Sequence, residues 1–277
     1  MADAHDPRRH HRPVLIGGLL AIGAVATAFP FLWMLTTSVK PLADSYAYPP
    51  KLLPSQVTWE NYATLFTDLD FGTYVVNTIV IVLISFVGMF LMALAGYGFA
   101  KFHFRGRNSL FMLVLTTMMI PVQVTMIPTY LILNSVKLTN TLVGIALPTL
   151  VSAFSIFLFR QFMATIPDEL LDASRIDGAG ELRTFLRIVL PMSKPIMAVV
   201  GVLTFISGWN SFIWPLVIAN DQNKYTLAVG LSLLNKQLTP NPPLQMAGAA
   251  LMVMPIVIVF VVFQRHIVQG FTMSGLK

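Results

Sequence analysis

Six long apolar stretches without a charged residue constrain this chain more than any other feature. They cover residues 14–36, 73–100, 109–127, 141–159, 196–218 and 247–263, and none contains Asp, Glu, Lys, Arg or His. A helix rises 1.5 Å per residue, so about 20 apolar residues cross the roughly 30 Å hydrocarbon core of a bilayer. The sequence therefore predicts an all-α, polytopic membrane protein with six transmembrane helices: a basic tail over residues 1–13 and a membrane domain over 14–277.

The overall composition agrees with a lipid environment. Of the 277 residues, 56% are hydrophobic and 11% are charged, and the mean hydropathy is +0.73. Soluble domains carry about a quarter charged residues. The chain has no cysteine, which excludes disulfides, thiolate metal sites and a cysteine nucleophile.

The basic residues are distributed unevenly between the segments that connect the six spans. If the spans alternate from a cytoplasmic N-terminus, only five of the 18 basic residues lie outside: Lys40, Lys51, Lys137, Lys224 and Lys236. This bias follows the positive-inside rule and places both termini in the cytoplasm. The basic residues behind the net charge of +6 therefore set the orientation of the chain in the membrane. For this reason we expect no nucleic-acid partner.

The N-terminal tail contains three histidines that are candidate metal ligands. His5, His10 and His11 lie close together, but nothing nearby completes a ligand set. A disordered tail that anchors the topology is favoured, and no metal is expected.

Prolines interrupt five of the six apolar stretches: Pro30, Pro121, Pro148, Pro215 and Pro255. A proline removes a backbone donor and tends to kink a helix, which a bilayer tolerates where neighbouring helices or a wet cavity satisfy the freed carbonyls. Broken helices of this kind suit a bundle around a pathway, and they also occur in inert bundles.

Few polar side chains are predicted at membrane depth. Asn77 and Gln123 favour interhelical hydrogen bonding, whereas Trp209 and Asn210 fit either such bonding or the lining of a sugar pathway.

Aromatic residues are concentrated in the connection between the first two spans. Tyr46, Tyr48, Trp59 and Tyr62 lie there. They favour an interfacial belt, with contact to an external partner as the alternative.

The chain lacks residues that several classes of function require. A proton-coupled carrier normally places an ionisable group inside the bundle, and none is present, although sodium can still bind backbone carbonyls. No phosphate-binding G-x-x-x-x-G-K-[ST] loop, H-E-x-x-H or G-x-S-x-G motif occurs. We therefore expect no catalysis and no cofactor in this chain, with ATP and magnesium held by partner subunits if ATP drives transport.

The connection over residues 160–195, called here the two-helix loop, concentrates charge in an otherwise apolar chain. Pro167, Asp168 and Glu169 are typical of a helix start, and we expect that helix to end near Ile176. Gly178 and Gly180 permit a turn. In the helix that follows, Leu182, Phe185, Leu186 and Val189 recur at helical spacing and predict a buried face, while Arg183 and Arg187 share the opposite one.

The same loop resembles the E-A-A-x3-G-x9-I-x-L-P loop of bacterial ABC importer permeases. The matching residues are Asp172-Ala173-Ser174, Asp177-Gly178 and Ile188-Val189-Leu190-Pro191. Asp replaces the first Glu and Ser the second Ala, which keeps an acid and a small side chain but alters the individual contacts.

The resemblance extends along most of the chain. Thr58 to Tyr62, Leu158 to Phe162, Gly208-Trp209-Asn210 and the ending from Gln264 are similar to the smaller, six-span permease of maltose-type and glycerol-phosphate-type systems. The resemblance implies a type I ABC importer permease that translocates a sugar or sugar derivative across the cytoplasmic membrane. Its implied partners are a second permease, two ABC ATPases and an extracytoplasmic solute-binding protein.

The resemblance also implies site residues. The ATPase-coupling set is Asp172, Ala173, Ser174, Asp177, Gly178, Leu182, Phe185, Ile188, Leu190 and Pro191. Asp172 is expected to contact the ATPase, and a Cβ at Gly178 is expected to be obstructive. The segment 219–245 should contact the binding protein, and the tail from Gln264 should lie near the ATPases. The alternatives are a stand-alone secondary sugar carrier and a structural anchor in which Trp209 and Asn210 are replaceable.

Overall fold

The computed structural model describes residues 8–234 and 240–272, with side chains from 16–234 and 240–264, and all regular structure in that part of the chain is helical. His5 and the side chains of His10 and His11 lie outside the described residues. The helices are α1 Arg8–Ser38, α2 Leu42–Ser45, α3 Glu60–Thr67, α4 Phe71–Lys101, α5 Arg107–Thr117, α6 Val122–Ser135, α7 Leu142–Ala146, α8 Ala153–Met163, α9 Asp168–Ile176, α10 Glu181–Thr184, α11 Leu190–Met192, α12 Lys194–Trp209, α13 Ile213–Ile218, α14 Leu227–Leu234 and α15 Pro242–Thr272.

Four continuous stretches of the described chain are long and apolar enough to cross a membrane. They are Ile16–Ser38, Phe71–Lys101, Lys194–Ile218 and Pro242–Gln264. They coincide with the first, second, fifth and sixth predicted spans. Proline is tolerated inside α1 at Pro30, inside α6 at Pro128 and inside α15 at Pro255.

The third and fourth predicted spans are not single helices. Between α5 and α6 the chain bends by 100°, where Pro121 is extended (φ −60°, ψ 136°) and α6 continues past the predicted end at 127 to Ser135. In the fourth, Pro148 lies in a 3₁₀ turn, and the chain bends by 44° before α8. Pro121 lies at the first bend and Pro148 in the turn before the second, as expected because a proline removes a donor from the helical ladder. Counting each bent pair as one span gives up to six.

The chain divides into two compact units, the first of which comprises residues 1–69 and 234–251. Within it, the amide of Asn61 donates to the carbonyls of Ser38 and Lys40, each at 2.9 Å. This fixes α3 against the end of α1. Tyr48 and Trp59 are 96% and 68% exposed, as either an interfacial belt or a partner surface requires.

The second unit comprises residues 70–233 and 252–277, and its core lies between α4, α8 and α12. Ala93 and Phe159 are fully buried there. A Cβ on Gly96 would collide with the Cβ of Phe159, so α4 and α8 approach closely at this glycine. Gly98, two residues further along α4, has open space around it.

Asn77 ties α4 to a distant segment of the same unit. Its amide donates to the carbonyls of Asn223 and Tyr225, each at 2.9 Å, which confirms the expected hydrogen-bonding role. Gln123 is exposed and has no such partner in the described part of the chain.

Candidate functional site: the two-helix loop

The first helix of the loop begins as its sequence predicts. Pro167 is extended (φ −59°, ψ 135°) and immediately precedes α9, so it occupies the N-cap position. Asp168 and Glu169 occupy the first turn, where the positive end of the helix dipole favours carboxylates. The hydrogen bond that Lys101 donates to Asp168 holds the pKa of this carboxyl below its ordinary value.

Gly178 makes the turn between the two helices. Its φ is +77°, a left-handed conformation that side chains with a Cβ rarely adopt. A Cβ added there would meet nothing within 4 Å in this chain. The turn was predicted correctly, but within this chain the constraint on Gly178 comes from its backbone conformation and not from an obstructed Cβ.

The second helix of the loop departs from the predicted face. Phe185 and Val189 are buried as expected, whereas Leu182 and Leu186 are 60% and 43% exposed. Residues Phe185–Val189 form a π-helical turn with i to i+5 hydrogen bonds, so the side chains advance with more residues per turn than the 3.6 assumed. The buried positions become Thr184, Phe185 and Val189, and the packing role expected of Leu182 and Leu186 was wrong.

A pair of buried hydroxyls joins the two helices. The side-chain oxygens of Ser174 and Thr184 lie 2.7 Å apart, and these residues are 7% and 1% exposed. Ser174 is the position at which the sequence departs from the second Ala of the family motif. The structure gives that departure a role inside the loop, because an alanine cannot make this hydrogen bond.

Arg175 links α9 to α10 by two ion pairs. It contacts Asp172 at 2.9 Å and Glu181 at 2.8 Å, with all three side chains 40% exposed or more. The hydrogen bond from Arg175 lowers the pKa of Glu181, and the same bond raises the pKa of Arg175. Such exposed pairs contribute little stability, so their main effect is to orient the side chains.

The two-helix loop is attached to the end of α4 by side chains that the sequence pattern did not single out. The hydroxyl of Tyr97 donates to Glu181 at 3.2 Å, and its ring lies 5.3 Å from that of Phe185. Lys101, with a side chain 5% exposed, contacts Asp168 at 2.7 Å and donates to the carbonyl of Ile166. One feature of the sequence could have predicted this attachment: Tyr97 and Lys101 are four residues apart and therefore share a helix face.

The predicted coupling residues divide into an outward and an inward set. Ser174 and Phe185 are buried and Ile188 and Leu190 are half-buried. The outward-facing members are Asp172, Ala173, Asp177, Gly178, Leu182 and Pro191. A groove of about 370 Å³ on this surface is lined by Leu170, Ala173, Ser174, Asp177, Ala179, Arg183, Arg187 and Ile188. The loop thus presents a polar and apolar groove while its interior packs against the helices of the second unit.

The two predicted pathway residues differ in burial: Trp209 is buried and Asn210 is exposed. Trp209 is 5% exposed, donates its indole N–H to the carbonyl of Met252 at 2.9 Å, and stacks on Phe205. Asn210 is exposed at the end of α12. Trp209 therefore has a packing role, and contact of either residue with solute stays a prediction.

Comparisons with known proteins agree with these observations. Residues 92–273 match the family described as "Binding-protein-dependent transport system inner membrane component". The arabinooligosaccharides transport system permease protein AraQ of Halalkalibacterium halodurans is 35% identical, over 98% of this chain and 99% of its own. The sn-glycerol-3-phosphate transport system permease protein UgpE of Yersinia pestis is 35% identical, over 91% of this chain and 93% of its own.

A solved structure has the same fold. It belongs to a bacterial ABC transporter involved in the import of the acidic polysaccharide alginate, and it matches with a TM-score of 0.84 at 23% identity, covering 96% of this chain and 100% of the other. The overall arrangement of helices is therefore a fold seen by crystallography.

Proposed function

Because the chain belongs to the family of binding-protein-dependent transport system inner membrane components, we propose that it is a permease subunit of an ATP-driven importer of a sugar or sugar derivative. The named relatives transport arabinooligosaccharides and sn-glycerol 3-phosphate, which supports a carbohydrate-class solute. The chain is a multi-pass inner-membrane protein.

The partners follow from this assignment. The chain pairs with a second permease, and the pair binds two ATPase subunits and receives solute from an extracytoplasmic binding protein. ATP and magnesium belong to the ATPases, so this chain carries no catalytic residue and no cofactor of its own. Its uneven basic charge supports an orientation with both termini and the two-helix loop in the cytoplasm.

The observation that carries the coupling role is the attachment of the loop to α4. Closure of the ATPases moves the exposed face of the loop, including Asp172. The hydrogen bond between Tyr97 and Glu181, and the ion pair between Lys101 and Asp168, then transmit this movement to α4. Because α4, α8 and α12 share one close-packed core, they move together.

Reconstitution tests the proposal. The complete complex in vesicles should take up sugar from its binding protein only when ATP is supplied inside. The same permease pair without ATPases should show no uptake, whatever ion gradient is imposed. Gradient-driven uptake without ATPases would overturn the proposal in favour of a secondary carrier.

A further inference from the structure

A cavity of about 250 Å³ lies within the second unit, and more than half of the residues that line it carry a hydroxyl group. Its apolar wall includes Met92, Phe154 and Leu203. The six hydroxyl residues that line it are Ser85, Thr149, Ser152, Ser155, Thr204 and Ser207. An apolar wall with a few convergent polar groups is the usual composition of a small-molecule site.

Half of these hydroxyls are already engaged by the protein. The hydroxyls of Ser85 and Thr149 lie 2.7 Å apart, and each is also within hydrogen-bond distance of a carbonyl, that of Ile81 and that of Ala146 respectively. Since each hydroxyl has one proton, one hydroxyl donates to the other, which donates to its carbonyl. The hydroxyl of Ser152 accepts from the backbone N–H of Ser155 at 3.3 Å. These bonds hold one side of the cavity in a fixed shape.

The other three hydroxyls are free to bind a ligand. Those of Ser155, Thr204 and Ser207 have no hydrogen-bond partner within the part of the chain that the structure describes. A hydroxyl in a membrane helix commonly donates to a carbonyl three or four residues back, as Thr78 does to Tyr74. A hydroxyl without this bond keeps both a donor and acceptor lone pairs available.

The position of the cavity agrees with that of solute sites in membrane transporters. Ser85 lies near the middle of the 31-residue helix α4. Thr149 and Ser152 flank the break that precedes α8, where the chain bends by 44°. Broken helices at membrane depth are tolerated where they line a polar cavity, and solute sites lie near the bilayer midplane at such breaks.

The residues of α12 that line the cavity differ in their contacts from their neighbour Trp209. Thr204, Ser207 and Gly208 stand at i, i+3 and i+4, so they share a face, and all three line the cavity. Trp209 instead donates to the carbonyl of Met252.

We propose that this cavity is a subsite of the transport pathway that binds one ring of an uncharged sugar through the hydroxyls of Ser155, Thr204 and Ser207. The proposal rests on the proposed function and adds a solute class to it. No ionisable side chain lines the cavity. A sugar phosphate or a uronate would need a cationic partner at this depth, whereas sugar hydroxyls are satisfied by other hydroxyls.

Uptake by the complete complex in vesicles tests the solute class. The uncharged probes are arabinotriose, maltotriose and cellotriose, and the anionic probe is sn-glycerol 3-phosphate. Thr204→Val and Ser207→Ala should each raise the KM for uncharged-sugar uptake about threefold to tenfold, the effect of losing one neutral hydrogen bond. Thr116→Val is the matched control, since Thr116 is exposed on α5 and its hydroxyl donates to the carbonyl of Met112.

The outcomes separate the two proposals. ATP-driven uptake with an unchanged KM in both variants would overturn the subsite and leave the importer function intact. Uptake of the anionic probe in preference to every uncharged one would overturn the solute class. Uptake of a probe by the permease pair without ATPases would overturn the proposed function, and the subsite with it.

The absence of cysteine allows a direct measurement of binding. Ser207→Cys, which keeps the size of the side chain, should react in the complex with a polar methanethiosulfonate reagent during ATP turnover. The transported uncharged sugar should slow this reaction, and sn-glycerol 3-phosphate should not. Thr116→Cys should show no protection by either. Reaction at Ser207→Cys without protection by the sugar would identify a merely water-filled cavity and contradict the proposal.

Discussion

Gly178 illustrates how one backbone conformation can fix the form of the loop. Its φ of +77° costs a residue with a Cβ about 1–2 kcal/mol, and no neighbouring atom contributes to this cost. Asp and Asn tolerate the left-handed region better than other residues, so an aspartate at this position is a mild change. A β-branched residue gives the stricter test.

We expect Gly178→Val to destabilise the loop by about 2 kcal/mol and to reduce ATP-driven uptake, because valine resists a positive φ. Gly180→Val is the matched control, since Gly180 is already extended (φ −71°, ψ 158°) with open space around it. Uptake rates and hydrogen exchange of the loop amides measure the effect. Equal behaviour of the two variants would contradict the backbone explanation.

Tyr97 is a single residue that joins the two-helix loop to α4. Tyr97→Phe keeps the contact with the ring of Phe185 and removes only the hydrogen bond to Glu181. We expect the amount of sugar imported per ATP hydrolysed to fall about twofold to fivefold, the effect of about 1 kcal/mol. Tyr74→Phe is the control, since the hydroxyl of Tyr74 makes no hydrogen bond among the described residues. A ratio unchanged by Tyr97→Phe would show that this bond transmits no movement.

At the scale of the element, the two helices of the loop differ in how far their sequences specify them. Helix α9 starts after Pro167, has acids in its first turn and ends before Gly178, all of which are local signals. The π turn over Phe185–Val189 has no comparable local signal, and two of its residues, Phe185 and Val189, are buried in the core. The predicted face of this helix was therefore wrong at Leu182 and Leu186.

The contact between α4 and α8 gives an element-scale prediction. Gly96→Ala should lower the thermal midpoint of the purified complex by several degrees, because the added methyl forces the helices apart at a cost of about 1–3 kcal/mol. Gly98→Ala, two residues away on the same helix, has open space and should leave the midpoint unchanged or slightly raised. Equal midpoints would mean that the helices separate at Gly96 without cost.

At the scale of the whole molecule, the distribution of basic residues makes the membrane orientation testable. We expect a membrane-impermeant thiol reagent to label Tyr48→Cys in cells whose outer membrane has been opened. Ile176→Cys should react only after the inner membrane is permeabilised. Both side chains are highly exposed, at 96% and 86%, so accessibility within the chain does not explain a difference. Labelling of Ile176→Cys from outside would reverse the proposed orientation.

The sequence was sufficient to predict the class of protein, the existence of the two-helix loop and the turn at Gly178. These features depend on local properties: apolar stretches long enough to cross a bilayer, helix-start residues and a glycine between two helical segments.

The contacts between residues distant in sequence, in contrast, became known from the packing of the helices. This packing brought Tyr97 to Glu181 and Ser174 to Thr184, and it gathered six hydroxyls from three separate regions of the chain around one cavity. It also assigned Trp209 a packing contact while its neighbour Ser207 lines that cavity. These contacts depend on how helices distant in sequence pack together, which periodicity within a single helix cannot specify.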